Sequence, residues 1–198
     1  MLAAQTQITN LLYRYAECID TGDLAGAADL FGHASIRIGH DAEHGTTDAA
    51  GLLAIWKSLI ILYPDGTPRT KHVVTNPIIE VDDEAGTARC RSYYTVLQQT
   101  DELPLQVIVT GRYHDRFERI DGFWRFSYRD LTLIDMVGEV SHHLGAPIAA
   151  APPQFPGKEG LTRSEVGIWT TVLLKTARTL GLGQFRFSSP RRRRSRDV

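Results

Sequence analysis

Two aspartates, Asp20 and Asp23, flank Thr21–Gly22 within YAECIDTGDLAG, Tyr15 to Gly26. The stretch reads as a turn between two helices. A helix start uses one acid as its N-cap, where a side-chain oxygen accepts a backbone N–H. Asp23 fits that place. Asp20 is then left at the end of the preceding helix, where the negative end of the dipole opposes a carboxylate, and a specific partner would offset that penalty. His72 offers the matching chemistry. A carboxylate that holds one imidazole nitrogen fixes the tautomer and leaves the other nitrogen as a general base. A lone strand histidine is more often structural. Paired with Asp20 across a pocket, it would abstract protons.

These side chains need elements to hold them. Ile8, Leu11, Leu12, Tyr15 and Ile19 recur at helical spacing and predict a helix over about 4–19. Gly22 stops it, and Asp23 opens a short second helix, DLAGAADLF. Thr46, Thr47 and Asp48 offer caps for a third, running to about Leu62 before the breaker YPDGTP. The texture then changes. TKHVVTNPIIEVD (Thr70–Asp82) and TARCRSYYTVLQQ (Thr87–Gln99) read as strands joined at DEAG. PLQVIVTGRYHDRFERI and FWRFSYRDLTLID follow, joined at Asp121–Gly122, a strong hairpin signal. Hairpin-linked strands make an antiparallel sheet, and the three helices must cover one of its faces, giving an α+β fold. Strands and helices do not alternate and GxGxxG is absent, which excludes helix-bundle and Rossmann architectures.

Strand alternation assigns faces. His72 falls on one face with Val74, Asn76 and Ile78. Arg129 falls with Arg125 and Ser127, opposite Trp124, Phe126 and Tyr128. An aromatic interior would therefore turn Arg129 outward, into an interface between subunits. Asp115 shares the apolar face of Val107, Val109, Tyr113 and Phe117, either to meet a ligand or to pair with an arginine. Tyr13 or Tyr15, and Tyr93 or Tyr94, can donate hydrogen bonds to a leaving hydroxyl or a developing oxyanion.

A chain of 198 residues suits one domain. The boundaries fall at a core of 1–145, a Pro/Ala linker over 146–160, a C-terminal helix over 161–183 and a basic tail over 184–198. The tail PRRRRSRDV carries a net +4, so the formal charge of −1 leaves −5 on the rest. That balance argues against nucleic acid as a partner. Cys18 and Cys90 lack CxxC spacing and sit among apolar residues, predicting buried free thiols in a reducing cytoplasm. MLAAQTQITN has no basic or apolar leader pattern, and LIILY (Leu59–Tyr63) is too short to span a bilayer. His40 and His44, near Asp41 and Glu43, do not match a compact metal site. His142 and His143 read as the end of the last core strand. No nucleophile elbow, P-loop or zinc signature occurs.

ITNLLYRYAECIDTGDLAGAADLF, TKHVVTNPIIEV and GRYHDRFERIDGFWRFSYRDL together resemble the SnoaL-like family of the nuclear transport factor 2-like superfamily, over about residues 5–140. The resemblance implies a cone-shaped curved antiparallel sheet covered by N-terminal helices, to which this chain adds its C-terminal helix. Scytalone dehydratase, bile-acid dehydratases and hexachlorocyclohexane dehydrochlorinase resemble it most usefully. Their aspartate–histidine dyad falls on Asp20 and His72, and the dehydrochlorinase arginine on Arg129. Tyr15 stands where that enzyme has lysine, which argues against chloride elimination. The implied function is a cofactor-independent lyase, dehydratase-like, or an isomerase. It would act on a small apolar or cyclic molecule in a homodimer or homotrimer, without metal. Tyr13, Tyr15, Tyr93, Tyr94, Tyr113 and Asp115 are the expected substrate contacts. Two alternatives stand beside it: a non-catalytic subunit like the small subunit of ring-hydroxylating dioxygenases, and an acid-only isomerase centred on Asp115.

Overall fold

In the computed structural model, which describes residues 3–39 and 45–145, the first apolar stripe forms α1 (Ala4–Asp20) and buries Ile8, Leu12, Tyr15, Ala16 and Ile19. The expected linker, C-terminal helix and basic tail, and the His40–His44 loop, lie outside the described residues. Gly22 ends α1 with φ +79°, and a Cβ there would strike the Gly66 carbonyl, so both the turn and the close approach require glycine. Asp23 caps α2 (Leu24–Asp29), accepting the Gly26 N–H at 2.8 Å. Two short strands follow, β1 (Ser35–Arg37) and β2 (Thr46–Thr47). Asp48 then caps α3 (Ala49–Leu59), accepting the Gly51 N–H at 2.8 Å. The helix stops before the expected Leu62 because Ile60 turns extended and bridges Leu144.

The long strands are β3 (Thr70–Asp82), β4 (Thr87–Gln98), β5 (Gln106–Ile120), β6 (Phe123–Asp130) and β7 (Ile134–Val137). Their sheet runs β2-β1-β6-β5-β4-β3, with β7 also on β5. All pairs are antiparallel except β1 with β6. FWRFSYRDLTLID is not one strand. The Leu131 N–H leaves β5 for the Arg37 carbonyl, and the chain rejoins β5 as β7. β1 and β2, at three and two residues, are too short to leave a periodic signal.

Three bulges overturn the parity of the sequence. On β5 the pairing slips past Ile108, so Ile108 and Val109 are both buried and Val107 turns out, away from the face of Tyr113 and Asp115 that it was expected to share. Pairing on β3 slips between Thr75 and Ile78, where Asn76 takes φ +53° and Pro77 has no N–H to donate. Val74 still packs inward with His72, but Ile78 is 55% exposed on the other face. On β6, Phe126 pairs with Phe117 while Tyr128 pairs with Arg116, leaving Ser127 as the extra residue. The insertion turns Arg129 inward, opposite Asp115, instead of into an interface.

The helices cover one face of the sheet, and the core lies between them. Phe126 sits at its centre, with ring centroids 4.7 Å from both Phe31 and Phe117. Cys90 is buried as expected, Cys18 only partly, and both are free. Among the described residues no helix is long and apolar enough to cross a membrane.

Candidate functional site

The end of α1 and the start of β3 meet at Asp20. Its Oδ1 accepts from the Thr70 hydroxyl at 2.9 Å and lies 2.7 Å from His72 Nδ1. Its Oδ2 accepts the His72 backbone N–H at 2.8 Å. Three donors thus offset the dipole penalty at this helix end. Burial pushes the Asp20 carboxyl up, but the His72 ring, the His72 N–H and the Thr70 hydroxyl together hold it below the usual carboxylate value. An ionised carboxylate only accepts, so His72 Nδ1 donates to it and Nε2 is the ring nitrogen left for other partners.

His72 borders a cavity of about 180 Å³ between α3, the sheet and the segment following β7. Tyr15, Trp56, Tyr94, Tyr113 and aliphatic side chains line it, with no Asp, Glu, Lys or Arg among the described residues. Tyr94 stacks on Tyr113 with centroids 4.4 Å apart, and Tyr15 meets Tyr113 edge-on at 5.8 Å. Burial raises all three phenols, with the Arg129 charge opposing it, so each is a neutral donor.

Arg129 lies beneath this aromatic wall rather than on the cavity. Its side chain and that of Asp115 are both fully buried, joined by two 2.8 Å hydrogen bonds from Nε and Nη2. The guanidinium carbon is 4.2 Å from the Tyr113 ring centroid, 4.3 Å from Tyr15 and 4.8 Å from Phe126. These rings pack against the guanidinium, whose Nη1 has no hydrogen-bond partner among the described residues. Burial alone would lower the Arg129 pKa, but the Asp115 charge and hydrogen bonds raise it instead.

Of the residues singled out in the sequence, Asp20, His72, Tyr15, Tyr94 and Tyr113 therefore gather around one cavity. Tyr13 and Tyr93 do not: they are 49% and 52% exposed, each being the member of its adjacent pair that points away. Asp115 is bonded to Arg129 and is not among the described residues that line the cavity. His143 was missed. It is buried and lines the cavity, yet its only sequence signal was a second histidine beside His142. Thr70 was also missed, a strand-opening threonine like many others.

Helices laid on one face of a curved, open sheet around a cavity define the nuclear transport factor 2-like class, also described as cystatin-like. Solved structures share this fold. Rv3472 of Mycobacterium tuberculosis, described as of unknown function, is 23% identical with a TM-score of 0.53, covering 88% of this chain and 89% of that one. A Novosphingobium aromaticivorans protein assigned as a scytalone dehydratase is 20% identical with a TM-score of 0.57, covering 79% and 95%. From the same organism, the beta subunit of a protein assigned as an aromatic-ring-hydroxylating dioxygenase is 19% identical with a TM-score of 0.51, covering 68% and 91%. No curated protein matches the chain. The SnoaL-like domain model matches residues 1–130, and the chain belongs to that family.

Proposed function

We propose that this protein is a cofactor-independent lyase of the dehydratase type, with isomerisation by the same proton abstraction as the closest variant. One observation carries the reading: His72, held at 2.7 Å by a buried carboxylate, borders an uncharged cavity walled by neutral phenols. On a ring ketone with a hydroxyl at the β carbon, His72 Nε2 takes the proton beside the carbonyl. The C–O bond then breaks, and the hydroxide leaves as water with the proton returned by the imidazolium. Tyr15, Tyr94 or Tyr113 donates to the carbonyl oxygen as charge develops there. Arg129 and Asp115 position those phenols from behind.

The test is dehydration of 3-hydroxy-1-tetralone to 1-naphthol, followed by product fluorescence. His72→Ala should lower the rate by about 10²–10⁴-fold, the usual contribution of a positioned general base. Equal rates in wild type and variant would sink the assignment of the dyad. A second reading, a binding or partner subunit, draws support from apolar side chains exposed on the outer sheet face, among them Val73, Val107 and Met136. It predicts no turnover in the same assay.

A further inference from the structure

His143 is the second histidine of the cavity, and the mechanism above does not use it. Its backbone is fixed at several points. Its carbonyl accepts the Ile61 N–H at 2.9 Å, just past the end of α3. The preceding His142 carbonyl accepts from the Tyr63 hydroxyl at 2.8 Å and from Gln98 Nε2 at 2.9 Å. Gln98, buried on β4, also donates to the Pro68 carbonyl at 3.0 Å. A segment tied to α3 and β4 thus holds one imidazole against the cavity. That imidazole is only 7% exposed and makes no side-chain hydrogen bond among the described residues. Its Nδ1 is completely enclosed and unpartnered, so the ring nitrogen that a ligand in the cavity can meet is Nε2.

Burial, reinforced by the nearby His72 and opposed by Asp20, pushes the His143 pKa down to about 4. The ring is accordingly neutral near pH 7 and able to accept a hydrogen bond. Among the described lining residues, Tyr15, Tyr94 and Tyr113 have phenol oxygens that both donate and accept, an imidazole nitrogen is the more basic acceptor, and the rest are apolar apart from His72. Among the described residues the lining carries no charge, so a carboxylate or phosphate would lose hydration there without a partner.

We propose that His143 is a substrate-recognition residue, whose unpartnered imidazole takes a hydrogen bond from a hydroxyl of a neutral cyclic compound bound against His72. The inference deepens the lyase reading by defining its substrates: uncharged, cyclic and hydroxyl-bearing. It concerns binding, so it is tested apart from turnover. Three probes share one ring system: 2-naphthol has the donor, 2-methoxynaphthalene lacks it, and 2-naphthoate is charged. Calorimetry on the full chain gives affinities, and histidine-labelled NMR shows where each probe sits. With wild type, 2-naphthol should bind, shift the His143 and His72 ring signals, and outcompete 2-naphthoate.

His143→Phe should weaken 2-naphthol about tenfold, the size of one lost hydrogen bond. Its affinity for 2-methoxynaphthalene should not change, and His143→Asn should recover part of the loss. Equal weakening of both neutral probes would reveal a merely structural role and overturn the inference, as would undiminished 2-naphthol binding or none in wild type. Turnover separates the two readings. Discrimination by His143 with no dehydration by His72 leaves the recognition site standing and removes the lyase; the reverse pattern does the opposite.

Discussion

Arg129 is the largest fully buried side chain described, and Asp115 accepts two hydrogen bonds from it. Two charges removed from water gain little over an apolar pair, yet removing one of them strands the other. Asp115→Ala should therefore destabilise the fold by about 3–5 kcal/mol, the range for breaking a buried pair. Urea unfolding measures it, and a loss below about 1 kcal/mol would show that the aromatic faces alone sustain the cation. Asp20 makes a pH-dependent contribution. Its folded pKa lies below its unfolded value, so its stabilisation is complete above the unfolded value and fades as pH falls through the folded one. Asp20→Asn should lower Tm most near neutrality, and the gap to wild type should close below about pH 4, the ordinary aspartate value. Melts at pH 7 and pH 3 make the comparison.

At the scale of elements, the dyad depends on where α1 ends relative to the start of β3. Gly22 sets that end. With its Cβ blocked by the Gly66 carbonyl, the turn after α1 sits directly on the loop that leads through Pro68 into Thr70. Gly22→Ala should cost about 1–3 kcal/mol from left-handed strain and the forced separation of the two turns. It should also lower turnover of the tetralone more than Gly86→Ala does. Gly86 has a comparable positive φ, in the β3–β4 turn, but its nearest obstacle is the flexible Arg119 side chain at 3.6 Å. Equal activity in the two variants would show that the α1 turn does not position Asp20.

At the scale of the molecule, the described helices fill one face of the sheet, and no described element covers the other. Val73, Thr95, Thr110 and Met136 form one row across β3, β4, β5 and β7, with Tyr93 and Val107 nearby on the same face. Exposed apolar side chains in a continuous patch favour burial against a second surface. A second copy of this chain presents the same face, and a homodimer buries both at once. Val107→Lys together with Met136→Lys should convert such a dimer to monomer in sedimentation equilibrium. A monomeric wild type, or association that survives both lysines, would exclude this face.

Local physics made much of this protein legible in its residues. Helical spacing located α1, Asp23 and Asp48 capped where aspartates cap, and β3 has the limits its alternation predicted. The spare acid Asp20 and the strand histidine were visible as a possible pair because each was slightly out of place in its own element. Which way the later side chains point was not legible. One extra residue in a strand inverts every face beyond it, and the bulges at Asn76–Pro77 and Ser127 come from pairing between strands, which no single strand encodes. So Arg129 was expected outside and lies at the centre. His143 is the stronger case: the last short segment becomes part of the cavity only because Tyr63, Gln98 and Ile61, far away in the chain, hold it there. The sequence by itself determined the helices and the long strands and marked Asp20 and His72 as a possible pair, since caps, periodicity and residue types act over a few positions. The tertiary structure alone decided which side chains share the cavity, since that depends on contacts between residues dozens of positions apart.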